Sequence, residues 1–233
     1  MIVLQAVSVR VAAYADGLPA TKTLLDGIDL VLSERRVAVV GANGSGKSTL
    51  LRLLNGLILP SAGRVIVGGF DTRTDGHRVR ERVGFAFTDP LSQLVMSTPI
   101  DDVELGLRRV IRDRGARRAR ALALLADRGL AAVAEQSIYD LSGGERQLVA
   151  LTSVLAVNPV VLVADEPTTL LDLRNRNLVR ETLAALPQQI VLATHDLDLA
   201  AEADRVIVVH EGRIAADGAP SASIASYRAL VAA

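Results

Sequence analysis

The chain contains no cysteine, no tryptophan and only two lysines, Lys22 and Lys47, among its 26 basic residues. Without cysteine it can form no disulfide and perform no thiol chemistry, an absence that fits a reducing cytoplasm. Its 26 basic and 26 acidic residues balance, so no net field draws it to nucleic acid or to an anionic membrane surface. A long apolar run is missing as well. The most apolar window, Leu148 to Ala164, is interrupted by Asn158-Pro159 and falls short of the roughly 20 residues needed to cross a bilayer. It reads as a helix with Leu148, Leu151 and Leu155 at helical spacing, then a turn, then the buried strand "VVLVAD". The start, "MIVLQAVSVR", has neither a basic stretch nor a long apolar one and reads as a first strand, not a signal peptide. There is no internal repeat and no low-complexity linker.

What is present suffices for a core. With 233 residues, half of them hydrophobic, the expectation is one α/β domain carrying a small subdomain. The arginines are numerous partly because Ala, Arg, Gly and Val together suggest a GC-rich coding sequence. Seven of them lie between Arg108 and Arg120 and invite a nucleic-acid reading. No aromatic residue is interleaved with them, so they are assigned to the solvated faces of two helices broken near Gly115, and no nucleic-acid partner is expected.

Against that scarcity of lysine, Lys47 stands in "GANGSGKST", Gly41 to Thr49, directly after the apolar run "RVAVV". Gly-x-x-x-x-Gly-Lys-Ser between a strand and a helix is a phosphate-binding loop, in which glycines let backbone N–H groups curl around phosphates. Asn43, Gly44, Gly46 and Thr49 belong to that cradle, Lys47 is placed to reach the β- and γ-phosphates, and the Ser48 hydroxyl is placed to bind Mg²⁺. Arginine's rigid planar fork does not fit the same volume. A plain Gly/Ser turn between strand and helix is the competing reading, and the matched strand and helix context weighs against it. The loop implies a nucleoside triphosphate.

The runs "RVIVGG", "RVGFAF", "VVLVAD", "QIVLAT" and "RVIVVH" follow at intervals suited to a layered α/β sheet. Asp165 and Glu166 close "VVLVAD", at the C-terminal end of a strand, where such sheets place ligands. Asp165 is expected to hold Mg²⁺ directly or through water, and Glu166 to orient and deprotonate an attacking water. His195 follows "QIVLAT" on the same expected edge, placed to contact a γ-phosphate. His77 and His210 have no such company and are left as surface residues.

The segment "LSGGERQ", Leu141 to Gln147, has a local explanation: Ser142 with Glu145 three residues on is a capping box at the head of an apolar helix. Yet a phosphate loop, then "LSGGE", then "VVLVADEPT", in this order, resembles the ATP-binding-cassette family, whose signature is LSGGQ, over nearly the whole chain. The resemblance implies a P-loop NTPase cassette with a layered α/β core and an inserted helical subdomain, at about 89–155 within a single domain spanning 1–233. It implies that Ser142, Gly143, Gly144 and Glu145 clasp the γ-phosphate of ATP held by an opposing subunit, and that Tyr14 stacks on adenine. "TLLD", Thr169 to Asp172, matches the D-loop that crosses the dimer interface, and His195 the switch histidine. Two positions depart from the pattern. Thr88, in "FTDPLSQ", stands where the family's metal-sensing glutamine would be, keeping one oxygen ligand on a shorter side chain, and Gln93 lies five residues too far on to replace it. Glu145 stands where the signature has Gln, which sets a negative charge near a phosphate unless Arg146 or the helix dipole offsets it.

The stretch "DPLSQLVMSTPIDDVELGLRR" looks like the ATPases of energy-coupling-factor importers, biotin importers foremost and cobalt or nickel importers next. That resemblance implies an ATP-hydrolysing subunit, paired with a second cassette as homodimer or heterodimer. Its further partners would be a membrane-spanning coupling subunit and a substrate-binding membrane subunit, at the cytoplasmic face of the membrane. The alternative is a soluble cassette ATPase acting on a protein or nucleic-acid assembly. Leu94, Val95, Met96 and Ile100 are expected to form a partner groove rimmed by Asp101, Asp102, Glu104 and Arg108, unless the loop folds back onto its own core.

Overall fold

The computed structural model describes residues 1–15, 18–169 and 171–232, and the side chains at 14, 15, 18 and 19 lie outside the described set. Two long strands, β1 (Ile2–Ala15) and β2 (Leu18–Leu32), precede β3 (Arg36–Val40), the phosphate loop and α1 (Lys47–Leu54). Next come β4 (Ala62–Val67), β5 (Phe70–Asp71), α2 (Gly76–Arg82) and β6 (Val83–Ala86). The chain is then helical, through α3 (Pro99–Leu107), α4 (Arg114–Ala126) and α5 (Gly143–Leu155), until β7 (Val161–Asp165). It closes with α6 (Leu173–Ala185), β8 (Gln189–Ala193), α7 (Leu197–Ala201), β9 (Arg205–His210), β10 (Arg213–Gly218) and α8 (Pro220–Ala232).

Two sheets result. One is antiparallel, in the order β2-β1-β4-β5; the other has the order β10-β9-β3-β8-β7-β6 and is parallel throughout except for β10 at its edge. The parallel strands read as near-continuous apolar runs because both of their faces are covered. Val37, Val39, Val163, Val191 and Ile207 face the core shared with α1 and the antiparallel sheet. Their neighbours Ala38, Val40, Leu162, Ile190 and Val206 face the core shared with the helical insert and α6 to α8. The alternation is the pleat itself, with successive side chains on opposite faces.

Two sequence expectations are corrected. "RVIVGG" is strand-forming, but as β4 it pairs antiparallel with β1 and takes no part in the parallel sheet. Its turn after Val67, through Gly68 and Gly69 at positive φ, returns the chain as the short antiparallel β5, which a crossover strand does not do. The break between the arginine-rich helices falls ahead of Gly115, because Asp113 caps α4 by accepting from Ala116 N at 2.7 Å. His77 and His210 are exposed, as expected. Among the described residues no helix is long and apolar enough to cross a membrane.

Candidate functional site

The site is built on the C-terminal edge of the parallel sheet. Val39, Ala193 and Asp165 are register partners across β3, β8 and β7, so the three strands end in one row. Past that row lie the phosphate loop, His195 and Glu166 respectively, and Thr88 follows β6 one strand further out.

Helix α1 starts with Gly46 at φ 114 and has no side-chain cap, so its first amides are offered to whatever lies beyond the helix end. A Cβ at Gly46 would stand 2.9 Å from Leu24 O and 2.8 Å from a Leu25 methyl, so the close approach to β2 demands glycine as much as the dihedral does. Asn43 and Gly44 are exposed on the loop, and Thr49 lies half-buried in the first turn of α1. Lys47 is 6% exposed and folds over the loop, donating to Gly41 O at 2.8 Å and Ala42 O at 3.2 Å. Its Nζ stands 4.0 Å from Glu166 Oε1.

Ser48 Oγ donates to Asp165 Oδ1 at 3.0 Å, bringing together two positions 117 residues apart. Burial pushes the Asp165 carboxyl above the usual carboxylate range, while the Ser48 hydroxyl and the nearby Arg52 and Lys47 charges hold it down. A buried carboxylate beside a hydroxyl, both oxygen donors, suits a hard cation that keeps waters and substrate phosphates as its other ligands. The two residues therefore fit Mg²⁺. Thr88 is half-buried, and its hydroxyl has no hydrogen-bond partner among the described residues.

Glu166 has φ 52, a conformation held by its amide's bond to Ala193 O at 3.0 Å. Its Oε2 accepts from Thr169 Oγ1 at 3.2 Å and from His195 N at 3.2 Å, and meets His195 Nδ1 at 2.7 Å. Oε1 has no hydrogen bond among the described residues and faces Lys47. Thr169 was read only as part of the D-loop match; its contact with Glu166 arises from the tight turn after β7, which spacing alone does not reveal.

The remaining family positions lie elsewhere. Ser142 and Glu145 form the capping box of α5: Ser142 Oγ accepts from Glu145 N at 3.3 Å, and Glu145 Oε2 accepts from Ser142 N at 2.8 Å. Ser142 Oγ also donates to Glu145 Oε2 at 2.7 Å, and this bond together with that from the Ser142 amide holds the Glu145 carboxyl below the usual range, with Arg146 a minor contributor. Arg146 instead donates to Leu141 O at 2.5 Å. Gly143 is exposed, whereas a Cβ at Gly144 would stand 2.2 Å from the Asn175 side chain. Asn175, which sequence reasoning missed, is held by the cap of α6: Asp172 accepts from its amide at 2.8 Å and from its side chain at 2.9 Å. Signature and D-loop cap thus pack on each other, and neither hydrogen-bonds to the phosphate loop among the described residues. Leu170 of the D-loop and the Tyr14 side chain lie outside the described residues.

The expected partner groove is redrawn. Leu94 and Ile100 are buried in the core, while Val95 is 76% exposed and Met96 half-buried. Asp102 and Glu104 are buried and do not form a rim. Asp102 accepts from Val95 N and Met96 N and from Ser153 Oγ, and Glu104 pairs with Arg117 and Arg118. Their charges hold helices together, which is why they could be buried.

Comparison with known proteins agrees with this geometry. The family model described as ABC transporter matches residues 25–169. The chain is 44% identical over 211 residues to the biotin transport ATP-binding protein BioM of Rhizobium etli, covering 91% of this chain and 94% of that one. It is 42% identical over 213 residues to the energy-coupling factor transporter ATP-binding protein EcfA1 of Symbiobacterium thermophilum, covering 88% of this chain and 74% of that one. Among solved structures it superposes on the dimeric ATP-binding cassette MJ0796 bound to ADP and Pi, with TM-score 0.82, 28% identity, and coverage of 94% and 99%. It also superposes on cbiO1 from Clostridium perfringens, part of the transporter complex cbiONQ, with TM-score 0.79, 30% identity, and coverage of 99% and 93%. With its phosphate loop, strand-end carboxylates and capped signature helix in this one fold, the chain belongs to the ABC transporter family of ATP-binding cassettes.

Proposed function

We propose that this chain is the ATP-hydrolysing subunit of a membrane importer of the energy-coupling-factor type, and that the imported compound is biotin. The observation that carries the substrate class is the 44% identity to BioM across nearly the full length of both chains. The protein works as a single cassette domain, 1–233, with the helices of about 89–155 as its partner-facing subdomain.

In this reading the uncapped amides of α1 and the Lys47 ammonium hold the β- and γ-phosphates. Ser48 and Asp165 would hold Mg²⁺, with Thr88 as a further oxygen donor, and the ion would supply charge neutralisation at the phosphate oxygens. Glu166 Oε1 takes the proton of the attacking water, since Oε2 is already committed to Thr169 and His195. His195 donates from Nδ1 to that carboxylate, which leaves Nε2 directed away from it and toward the γ-phosphate. Ser142, Gly143, Gly144 and Glu145, with Asp172 behind them, serve the nucleotide of an opposing cassette, and Tyr14 stacks on its own adenine. A second cassette, identical or not, is therefore required. The exposed Leu91 and Val95 meet a membrane-spanning coupling subunit, which with a substrate-binding membrane subunit places this chain peripherally at the cytoplasmic face.

Deletion of the chain's gene, with uptake of labelled biotin as the readout, tests the proposal. Loss of biotin uptake, restored by the wild-type chain and not by Lys47→Ala, is expected. Unchanged biotin uptake with loss of cobalt or nickel uptake would reassign the substrate. Purification of the chain in a complex without a membrane protein would favour the soluble cassette ATPase.

A further inference from the structure

We propose that Gln93 is a positioning residue for hydrolysis: its amide clips the strand end that carries Thr88 to the helix that carries the signature. The inference rests on the reading above, in which that signature acts on a nucleotide held by an opposing cassette.

After β6 the chain passes Phe87 and Thr88 and enters a tight turn built by Asp89. The Asp89 carboxylate accepts from Leu91 N at 3.0 Å and from Ser92 Oγ at 2.8 Å, and Gln93 N donates to Pro90 O at 3.0 Å. The turn brings the Gln93 side chain back to its own beginning. There Oε1 accepts from Phe87 N at 3.1 Å, while Nε2 donates to Ala150 O in α5 at 2.7 Å. One planar amide therefore bridges the backbone next to Thr88 and the backbone of the signature helix, 57 residues away. A carboxamide supplies an acceptor and a donor side by side, which an ionised carboxylate cannot. A second tie lies close by. Asp102 accepts from Val95 N at 2.8 Å and Met96 N at 3.1 Å with Oδ1, and from Ser153 Oγ at 2.7 Å with Oδ2.

Ala150 and Ser153 are one helical turn apart on α5, so the segment 87–96 is fastened to that helix at two successive turns. The strand end on the nucleotide edge, the outward turn with Val95 and the signature helix are thereby held in one frame. Thr88 takes no part in this, having no hydrogen-bond partner among the described residues. In this chain the tie to the signature helix runs through position 93, which from the sequence is only too far on to replace a glutamine at position 88.

The test uses the full chain with Gln93→Leu and Gln93→Glu. Leucine removes both bonds. Glutamate keeps an acceptor for Phe87 N but turns an oxygen toward the Ala150 carbonyl, which breaks the clip with little change in volume. Four readouts are compared: thermal midpoint, affinity for a fluorescent ATP analogue, steady-state hydrolysis, and ATP-driven dimerisation in the Glu166→Gln background. The expected result is a fall in kcat of about tenfold or more and loss of the dimer in both variants, with KM and analogue affinity within about threefold. Hydrogen exchange should rise at the Phe87 amide in Gln93→Leu and along α5 in both variants. Parental kcat in either variant would overturn the inference, as would a loss of kcat that tracks a collapse of the thermal midpoint, since that marks a merely structural residue. If the wild-type chain neither hydrolyses ATP nor dimerises, alone or with the partner cassette with which it co-purifies, the functional reading falls, and the inference with it.

Discussion

Glu166 and His195 follow different strands, β7 and β8, and meet at 2.7 Å, Oε2 to Nδ1. The contact depends on the left-handed backbone at Glu166, which costs a residue with a side chain on the order of 1–3 kcal/mol and persists here because the Glu166 amide is tied to Ala193 O. The strained turn re-aims the carboxylate along the sheet edge. One oxygen is then consumed in holding the group, while the other is left 4.0 Å from the Lys47 ammonium, where it can accept a proton.

That division of labour predicts different losses for Glu166→Gln and Lys47→Ala. The glutamine keeps the shape and the Thr169 contact but is no base, so hydrolysis should fall by about 10²–10⁴ while ATP still binds and drives dimerisation. Lys47→Ala should lose nucleotide affinity itself. Nucleotide titration and steady-state hydrolysis separate the two, and normal turnover by Glu166→Gln in the full complex would refute the base assignment.

At position 88 the side chain has no hydrogen bond to lose among the described residues, so Thr88→Gln should cost little stability. We expect nearly unchanged ATP affinity and an altered dependence of hydrolysis on Mg²⁺ and on the membrane partner. A structure with Mg²⁺ and an ATP analogue in which Thr88 lies far from the metal, with no bridging water, would remove it from the site.

Much of this was legible in the sequence, and the parts that were not share a cause. Strand-end residues such as Asp165 and His195 could be placed because apolar runs announce strands and the edge follows from where the runs stop, and Lys47 by its motif after such a run. The Ser142–Glu145 cap was visible at spacing i, i+3. Asn175 was missed, and Gln93 was weighed only as a stand-in for position 88, because their partners, Gly144 and Ala150, are brought near only by the packing of α5. Leu94 and Ile100 were read as part of a groove for the same reason: an apolar residue next to a turn carries no mark of which core it will join.

The buried carboxylate of Asp165 predicts a trade of stability for binding. Its folded-state pKa is raised, chiefly by burial, so its contribution to stability is full below the unfolded value of about 3.9 and is lost as pH rises through the folded value. At neutral pH the ionised group is therefore a liability to the unliganded fold. Asp165→Asn should raise the melting temperature of the nucleotide-free protein by a few degrees, as about 1 kcal/mol does in a chain of this size, with the gain growing as pH rises from about 3.9 through the folded value and constant above it. Affinity for Mg²⁺-ATP should fall in the same variant. Melting curves across that range decide the matter; a variant less stable at every pH would mean that Ser48, Arg52 and Lys47 fully compensate the charge.

The outward turn after β6 separates core from contact surface at adjacent residues. Leu94 is 7% exposed and belongs to the core of the helical insert, whereas Val95 is 76% exposed while its amide is pinned by the buried Asp102 carboxylate. A fixed backbone that presents an apolar side chain to solvent, near the exposed Leu91, is the arrangement expected of a docking point. Val95→Glu should therefore leave the isolated chain folded, with a stability change within about 0.5 kcal/mol and ATP binding intact. It should nonetheless release the membrane partner during purification and abolish uptake. Met96→Glu, at a half-buried position, should do the same at some cost in stability, and Leu94→Glu should unfold the insert by burying a charge without a partner. Transport retained by Val95→Glu, with the partner still bound, would show that the coupling subunit sits elsewhere on the cassette.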